Sequence, residues 1–215
     1  LIIPSTIDGK SVTRIGREAF IGCRSLTNVI IPDSVSIIGW AAFVGCSSLK
    51  NITIPDKVTS IVDHAFAHCT SLTSIIIPQG ITRIGQQTFN NCTSLTSINI
   101  HENVYTIGLH AFENCTSLKN ITIAKGVKSI RSYAFSGCTN LTSITIPDSI
   151  KEIGNDAFKG CTSLTSVTFL GDSPESHLVG PSPFDEAATI YRNPETKGWG
   201  DTFAGRPVKL ISEKP

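Results

Sequence analysis

Ala65-Phe66-Ala67-His68-Cys69-Thr70-Ser71-Leu72-Thr73-Ser74-Ile75-Ile76-Ile77-Pro78 decides the fold, because the chain writes this stretch again every 23 residues. Outward from it in both directions, Cys69 belongs to a ladder with Cys23, Cys46, Cys92, Cys115, Cys138 and Cys161, and Phe66 to one that runs from Phe20 to Phe158. Leu72 repeats from Leu26 to Leu164, Ile75 from Val29 to Val167, and Ile77 from Ile31 to Phe169. The unit reads A-F-x-x-C-x-x-L-x-x-I-x-I-P-x-x-V-x-x-I-G, with Thr88 in place of Ala once.

The spacing within a unit predicts its local structure. Ile75 and Ile77 are two apart and point to one side of an extended segment, so Leu72 to Ile77 reads as a short strand with those two residues inward. Pro32, Pro55, Pro78 and Pro147 end such strands, since proline donates no ladder hydrogen bond. Val58 and Ile61 are three apart, which reads as an irregular or extended return. Ala65, Phe66 and Cys69 carry the offsets of one helix face and predict a short helical turn. The residue before each cysteine is Gly22, Gly45, His68, Asn91, Asn114, Gly137 or Gly160, a set suited to left-handed backbone.

A 23-residue period lies within the range of leucine-rich repeats. The predicted fold class is an α/β solenoid: a right-handed leucine-rich-repeat superhelix with a parallel β-sheet on its concave face and short helical turns or irregular segments elsewhere. Each unit buries its apolar ladder only against its neighbours, so the stack is stable where one unit is not. Residues 1–170 read as the solenoid, a truncated first repeat followed by seven units. Residues 171–215 read as a degenerate last repeat, around Phe184 and Ile190-Tyr191, and a C-terminal cap from Gly198-Trp199-Gly200 to Leu210-Ile211.

Lys and Arg number 18 against 17 Asp and Glu, and 16% of residues are charged. So balanced a surface gives no electrostatic reason to expect nucleic acid or an anionic membrane. Every apolar run is interrupted within a few residues, so membrane insertion is not expected. The chain begins at Leu1 and holds no Met, so the lack of a targeting segment is no argument for a cytoplasmic address.

The aligned units resemble the BspA-like leucine-rich-repeat family over nearly the whole chain. The segment Ala188-Thr189-Ile190-Tyr191-Arg192 with Gly198-Trp199-Gly200, Phe203 and Gly205-Arg206-Pro207 is similar to the stretch that often follows such repeats. The resemblance implies an extracellular or cell-surface protein used for adhesion to host matrix proteins or other cells. It carries no defined binding motif, so candidate site residues come from this sequence.

The outward columns of the strands are the candidate ligand-binding face: Asn28, Asn51, Ser74, Ser97, Asn120 and Ser143 in one, Ile30, Thr53, Ile76, Asn99, Thr122 and Thr145 in the next. Ser, Thr and Asn ladders can instead do no more than solvate and knit a parallel sheet. Trp40 stands in a column otherwise filled by Asp63, Gln86, Leu109, Ser132 and Asn155, and reads either as an exposed aromatic anchor or as a ring packed over a neighbouring loop. The cysteines read as small buried hydrophobes with free thiols.

His64 and His68 have the spacing of a helical zinc pair, but one turn offers too few ligands and His68 sits in the glycine column, so no metal is expected. No phosphate loop, nucleophile elbow or paired-carboxylate constellation appears, and neither catalysis nor a cofactor is expected. Asn-x-Ser/Thr sequons at Asn51, Asn91, Asn114, Asn120 and Asn140 follow from a composition rich in Asn and Thr. The expected function is recognition of a protein or glycan by a monomer; a structural spacer and a docking domain of a larger protein are the alternatives.

Overall fold

The computed structural model describes residues 1–174, 182–185 and 187–214. The expectation for the segment between Gly171 and Pro183 therefore falls in part, at residues 175–181, outside the described residues. The period-23 columns stack into a solenoid with two parallel ladders and a third side made of turns.

The first ladder is the one the L-x-x-I-x-I pattern predicts. Asn28–Ile30 pairs with Asn51–Thr53, Ser97–Ile100 with Asn120–Ile123, and Ser143–Ile146 with Ser166–Phe169, always in parallel and at a register of one repeat. It continues through Thr189–Arg192 to Arg206–Leu210. Ile75 and Ile77 are buried and Ile76 exposed, as the alternation requires, but residues 74–77 form no strand, which corrects the expectation for that stretch. Proline explains part of the discontinuity. Ala124 and Leu170 donate their amides to Ile100 and Ile146 one coil below, whereas Pro78 and Pro147, in the same column, have no proton to give and the ladder breaks at both. At Pro55, also in that column, the pair of Asn28–Ile30 with Asn51–Thr53 persists but is one residue shorter than the four-residue pairs.

The return segment carries a second ladder that the three-residue spacing concealed. Arg14–Ile15, Ile37–Ile38 and Ser60–Ile61 pair in parallel, and so do Arg83–Ile84, Thr106–Ile107, Ser129–Ile130 and Glu152–Ile153. Two residues suffice because the inward isoleucine of each pair is buried against the coils on either side.

The helical turn is not present, so the helical half of the α/β expectation is corrected: among the described residues the only helix is a 3-10 turn at Ile211–Glu213. The segment around each Phe alternates its donors. The amides of Glu18, Phe20 and Gly22 reach Trp40, Ala42 and Val44 of the next coil at 2.7–2.9 Å, while those of Ala19, Ile21 and Cys23 turn back three residues. An α-helix would keep every amide within its own segment. Spacing forbids it as well: successive Phe rings stack 5.1–5.7 Å apart, close to a strand separation and about half the 10–12 Å diameter of a helix.

That Phe stack is the axis of the core. Phe43 to Phe158 are fully buried, with rings within 14° of parallel, and Phe184 takes the next place at 5.2 Å from Phe158. Thr6–Ile7 and Lys10–Ser11 form an antiparallel hairpin at the N-terminal end, turned by Asp8 and Gly9, both at positive φ. At the other end Trp199 and Phe203 pack edge-on against Phe169 at 4.9 and 5.6 Å.

Candidate binding surfaces

The strand face forms because inward isoleucines and valines leave their sequence neighbours pointing out. Asn28, Ile30, Asn51, Thr53, Ser74, Ile76, Ser97, Asn99, Asn120, Thr122, Ser143 and Thr145 are all exposed and share one side of the solenoid. Ile76 is 84% exposed and Ile30 is 56% exposed, and they stand on coils with Thr53 between them. Thr168, the next residue in the second column, is buried, and Lys214 donates to its hydroxyl at 3.3 Å, so the C-terminal turn closes the face at that end.

The columns beside this face are self-satisfied. Thr73 and Thr96 donate their hydroxyls to the carbonyls of Lys50 and Thr73 one coil below, and Thr70, Thr93, Thr116 and Thr139 make the same contact along the adjoining edge. The outward Asn28, Asn51, Ser74 and Ser97 side chains make no such bond to the coil below. They are free to meet a partner's donors and acceptors.

Trp40 is not part of this face. It follows the second ladder on another side, is half-buried, and lies between Arg17, whose guanidinium is 4.1 Å from the ring centroid, and His64, 5.5 Å away. This is the packed alternative rather than the exposed anchor. His64 and His68 both have left-handed backbone, at φ 63° and 61°, so the histidine pair occupies turn positions rather than one face of a helix. No group of three His, Cys, Asp or Glu is gathered for a metal among the described residues.

Cys46, Cys69, Cys92, Cys115, Cys138 and Cys161 are buried, and each thiol donates to the carbonyl of the Phe 26 residues earlier at 3.1–3.3 Å. Burial pushes the Cys46 thiol up to about 11 and Cys92 to about 12, and raises Cys69, Cys115 and Cys138 as well. These thiols are packing groups with little thiolate character. Cys23, on the first coil, is exposed.

Sequence reasoning missed a cleft of about 530 Å³ on the second ladder, lined by Arg83, Gly85, Tyr105, Gly108, Leu109 and Arg131 among others. Its signal was visible as departures from two columns, Arg131 in a column of five glycines and Val62, and Tyr105 among Ser, Thr and Lys.

A family model, the BspA-type leucine-rich repeat region, matches the chain in 6 copies over residues 13–139 and 82–179. The leucine-rich repeat protein of T. pallidum is 36% identical over 76% of this chain and 77% of its own, with a TM-score of 0.70. A leucine-rich cell surface protein from Faecalibacterium prausnitzii A2-165 is 34% identical over 81% of this chain, with a TM-score of 0.68; this chain spans about half of it, 48%. A leucine-rich repeat protein from Eubacterium ventriosum, 23% identical, shares the fold over 74% of this chain and 45% of its own at a TM-score of 0.52. No curated protein matches the chain.

Proposed function

This chain belongs to the BspA-type leucine-rich-repeat family, and from that premise we propose that it is a non-enzymatic recognition module, displayed at the cell surface or secreted, that adheres to a protein or glycan through its strand face. The observation that carries this reading is the face itself: a continuous run of exposed Asn, Ser and Thr side chains with Ile76 standing 84% exposed among them. Isolated apolar contacts ringed by uncharged polar groups suit a surface that desolvates on binding without the cost of stripping charges. The description of the Faecalibacterium relative as a cell surface protein supports the location. No helix among the described residues is long and apolar enough to cross a membrane. In this reading residues 1–170 carry the surface, as a monomer, and residues 171–215 close the core.

The test is a binding screen of the purified chain against matrix proteins, host cell-surface proteins and a glycan array, with Ile76→Asp and Trp40→Ala in parallel. Saturable binding that Ile76→Asp weakens and Trp40→Ala leaves alone is expected. An absence of saturable binding to every probe, with both variants folded, favours a spacer that only holds other domains apart.

A further inference from the structure

The cleft on the second ladder is built from residues that the repeat does not need. The column of Gly16, Gly39, Gly85, Gly108 and Gly154 departs from glycine at Val62 and at Arg131, of which only Arg131 brings a charge, and the column holding Thr13, Ser36, Thr59 and Thr82 holds Tyr105. Coils stack without either side chain elsewhere in the array, so stacking does not account for them here. The floor between them is bare backbone. A Cβ on Gly108 would lie 2.7 Å from the carbonyl carbon of Gly85, so the two coils approach closely at these glycines and the cleft stays open above them.

Its walls combine one aromatic face with fixed cations. The Tyr105 side is half exposed, and Leu109 extends the apolar rim. Arg83 is held by Asp63 at 2.9 Å and Arg131 by Glu152 at 3.0 Å, each guanidinium remaining about half exposed. A guanidinium has five donors, so one carboxylate orients each group and leaves donors free. Lys128 and Lys151 follow Tyr105 on the next two coils, their amides donating to Tyr105 and Lys128. Of the side chains lining the cleft, Arg83 and Arg131 are cationic and Asp63 anionic, with Glu152 paired to Arg131; Lys128 stands on the coil after Tyr105, and Lys151 lines a neighbouring cleft with Asp148 and Asp172.

We propose that this cleft binds an acidic saccharide of the uronic or sialic type, with a sugar ring on the face of Tyr105 and its carboxylate on Arg131. Arg83 and Arg131 lie two coils apart, about 10 Å at the spacing of a parallel ladder, so an oligosaccharide with acidic residues on either side of Tyr105 engages both. A peptide fits less well. Thr106–Ile107, at the centre of the cleft, is paired on both edges and offers no site for strand addition, and the open cleft itself has no deep apolar pocket to hold a side-chain anchor. The site belongs to a different ladder from the strand face and does not depend on the function proposed for that face.

Calorimetric titration of the whole chain with a hyaluronan tetrasaccharide and with trigalacturonate tests the proposal, with trigalacturonate methyl ester and triglutamate as controls. Arg131→Gly and Tyr105→Ser return each position to its column and preserve the stack, which thermal unfolding verifies. The expected result is saturable binding of at least one acidic sugar, none of the ester, and a loss of about tenfold or more in either variant, the scale of one charge-assisted or stacking contact. No saturation with either sugar overturns the proposal, as does binding that both variants leave unchanged or triglutamate binding as tightly. Ile76→Asp is expected to have no effect on this titration; if it abolishes binding, the sugar sits on the strand face and the cleft assignment falls while the strand-face reading stands.

Discussion

Replacing Phe89 with Ala removes the middle ring of the stack. Phe89 is fully buried and lies 5.7 Å from Phe66 and 5.3 Å from Phe112, with both pairs nearly parallel. Truncation of a buried Phe costs about 3–5 kcal/mol from lost burial and the cavity left behind. The two stacked contacts, worth about 0.5–1.5 kcal/mol each beyond area, place Phe89→Ala toward the upper end of that range. Phe20→Ala provides the internal control, because Phe20 is only half-buried and stacks on Phe43 alone. It should cost roughly half as much. In a solenoid stabilised by neighbour interfaces, the central deletion also divides the array, so the urea transition of Phe89→Ala should broaden and its slope fall. Equilibrium urea unfolding followed by circular dichroism measures all three quantities. A loss below about 1 kcal/mol for Phe89→Ala, or equal losses for the two variants, would refute the reasoning that the stack is a nearest-neighbour ladder.

Further expectations concern the backbone and the thiols. His68→Gly should leave stability unchanged or raise it, whereas His68→Val should lower it by about 1–2 kcal/mol, since φ is 61° there and a β-branched residue is strained in that region; equal melting temperatures for the two would contradict this. Gly108→Ala should lose about 1–3 kcal/mol by steric overlap with the coil below, while Gly16→Ala, whose new Cβ meets nothing within 4 Å, should be silent in the same melts. At pH 8, Ellman titration of the native chain should detect Cys23 quickly and the six buried thiols only after denaturation, and several fast thiols would show the ladder to be open. Because burial raises the folded thiol pKa above the unfolded value of about 8.5, that contribution is fully present below pH 8 and is lost as pH rises toward about 11 for Cys46 and 12 for Cys92. Cys92→Ala should flatten the alkaline fall in unfolding free energy, and an unchanged slope would count against a buried neutral thiol there.

Much of this molecule was legible in the 23-residue period. The inward columns, the Phe stack, the burial of six of the seven cysteines, all but Cys23, and the left-handed position before each cysteine follow from which residue types recur, and the structure places them so. The Asp8-Gly9 hairpin is equally readable from its turn dipeptide. A second left-handed column, Glu18, Ala41, His64, Gln87, His110, Tyr133 and Asp156, had no such signal, because none of its members is glycine or asparagine. The helical spacing of Ala65, Phe66 and Cys69 misled for a related reason: it fixes which side chains share a face but not where the amides donate.

Sequence by itself determined which side chains go inward, since that depends on residue type and period along one chain. Tertiary structure decided how the coils bond to one another. Coils separated by little more than a strand spacing leave no room for a helix, send every second amide of the turn side to the next coil, and make a ladder of the return segment. The same stacking brings Arg83, Tyr105 and Arg131 together from three successive coils, because neighbours across a solenoid are set by the distance between turns and not by position along the chain.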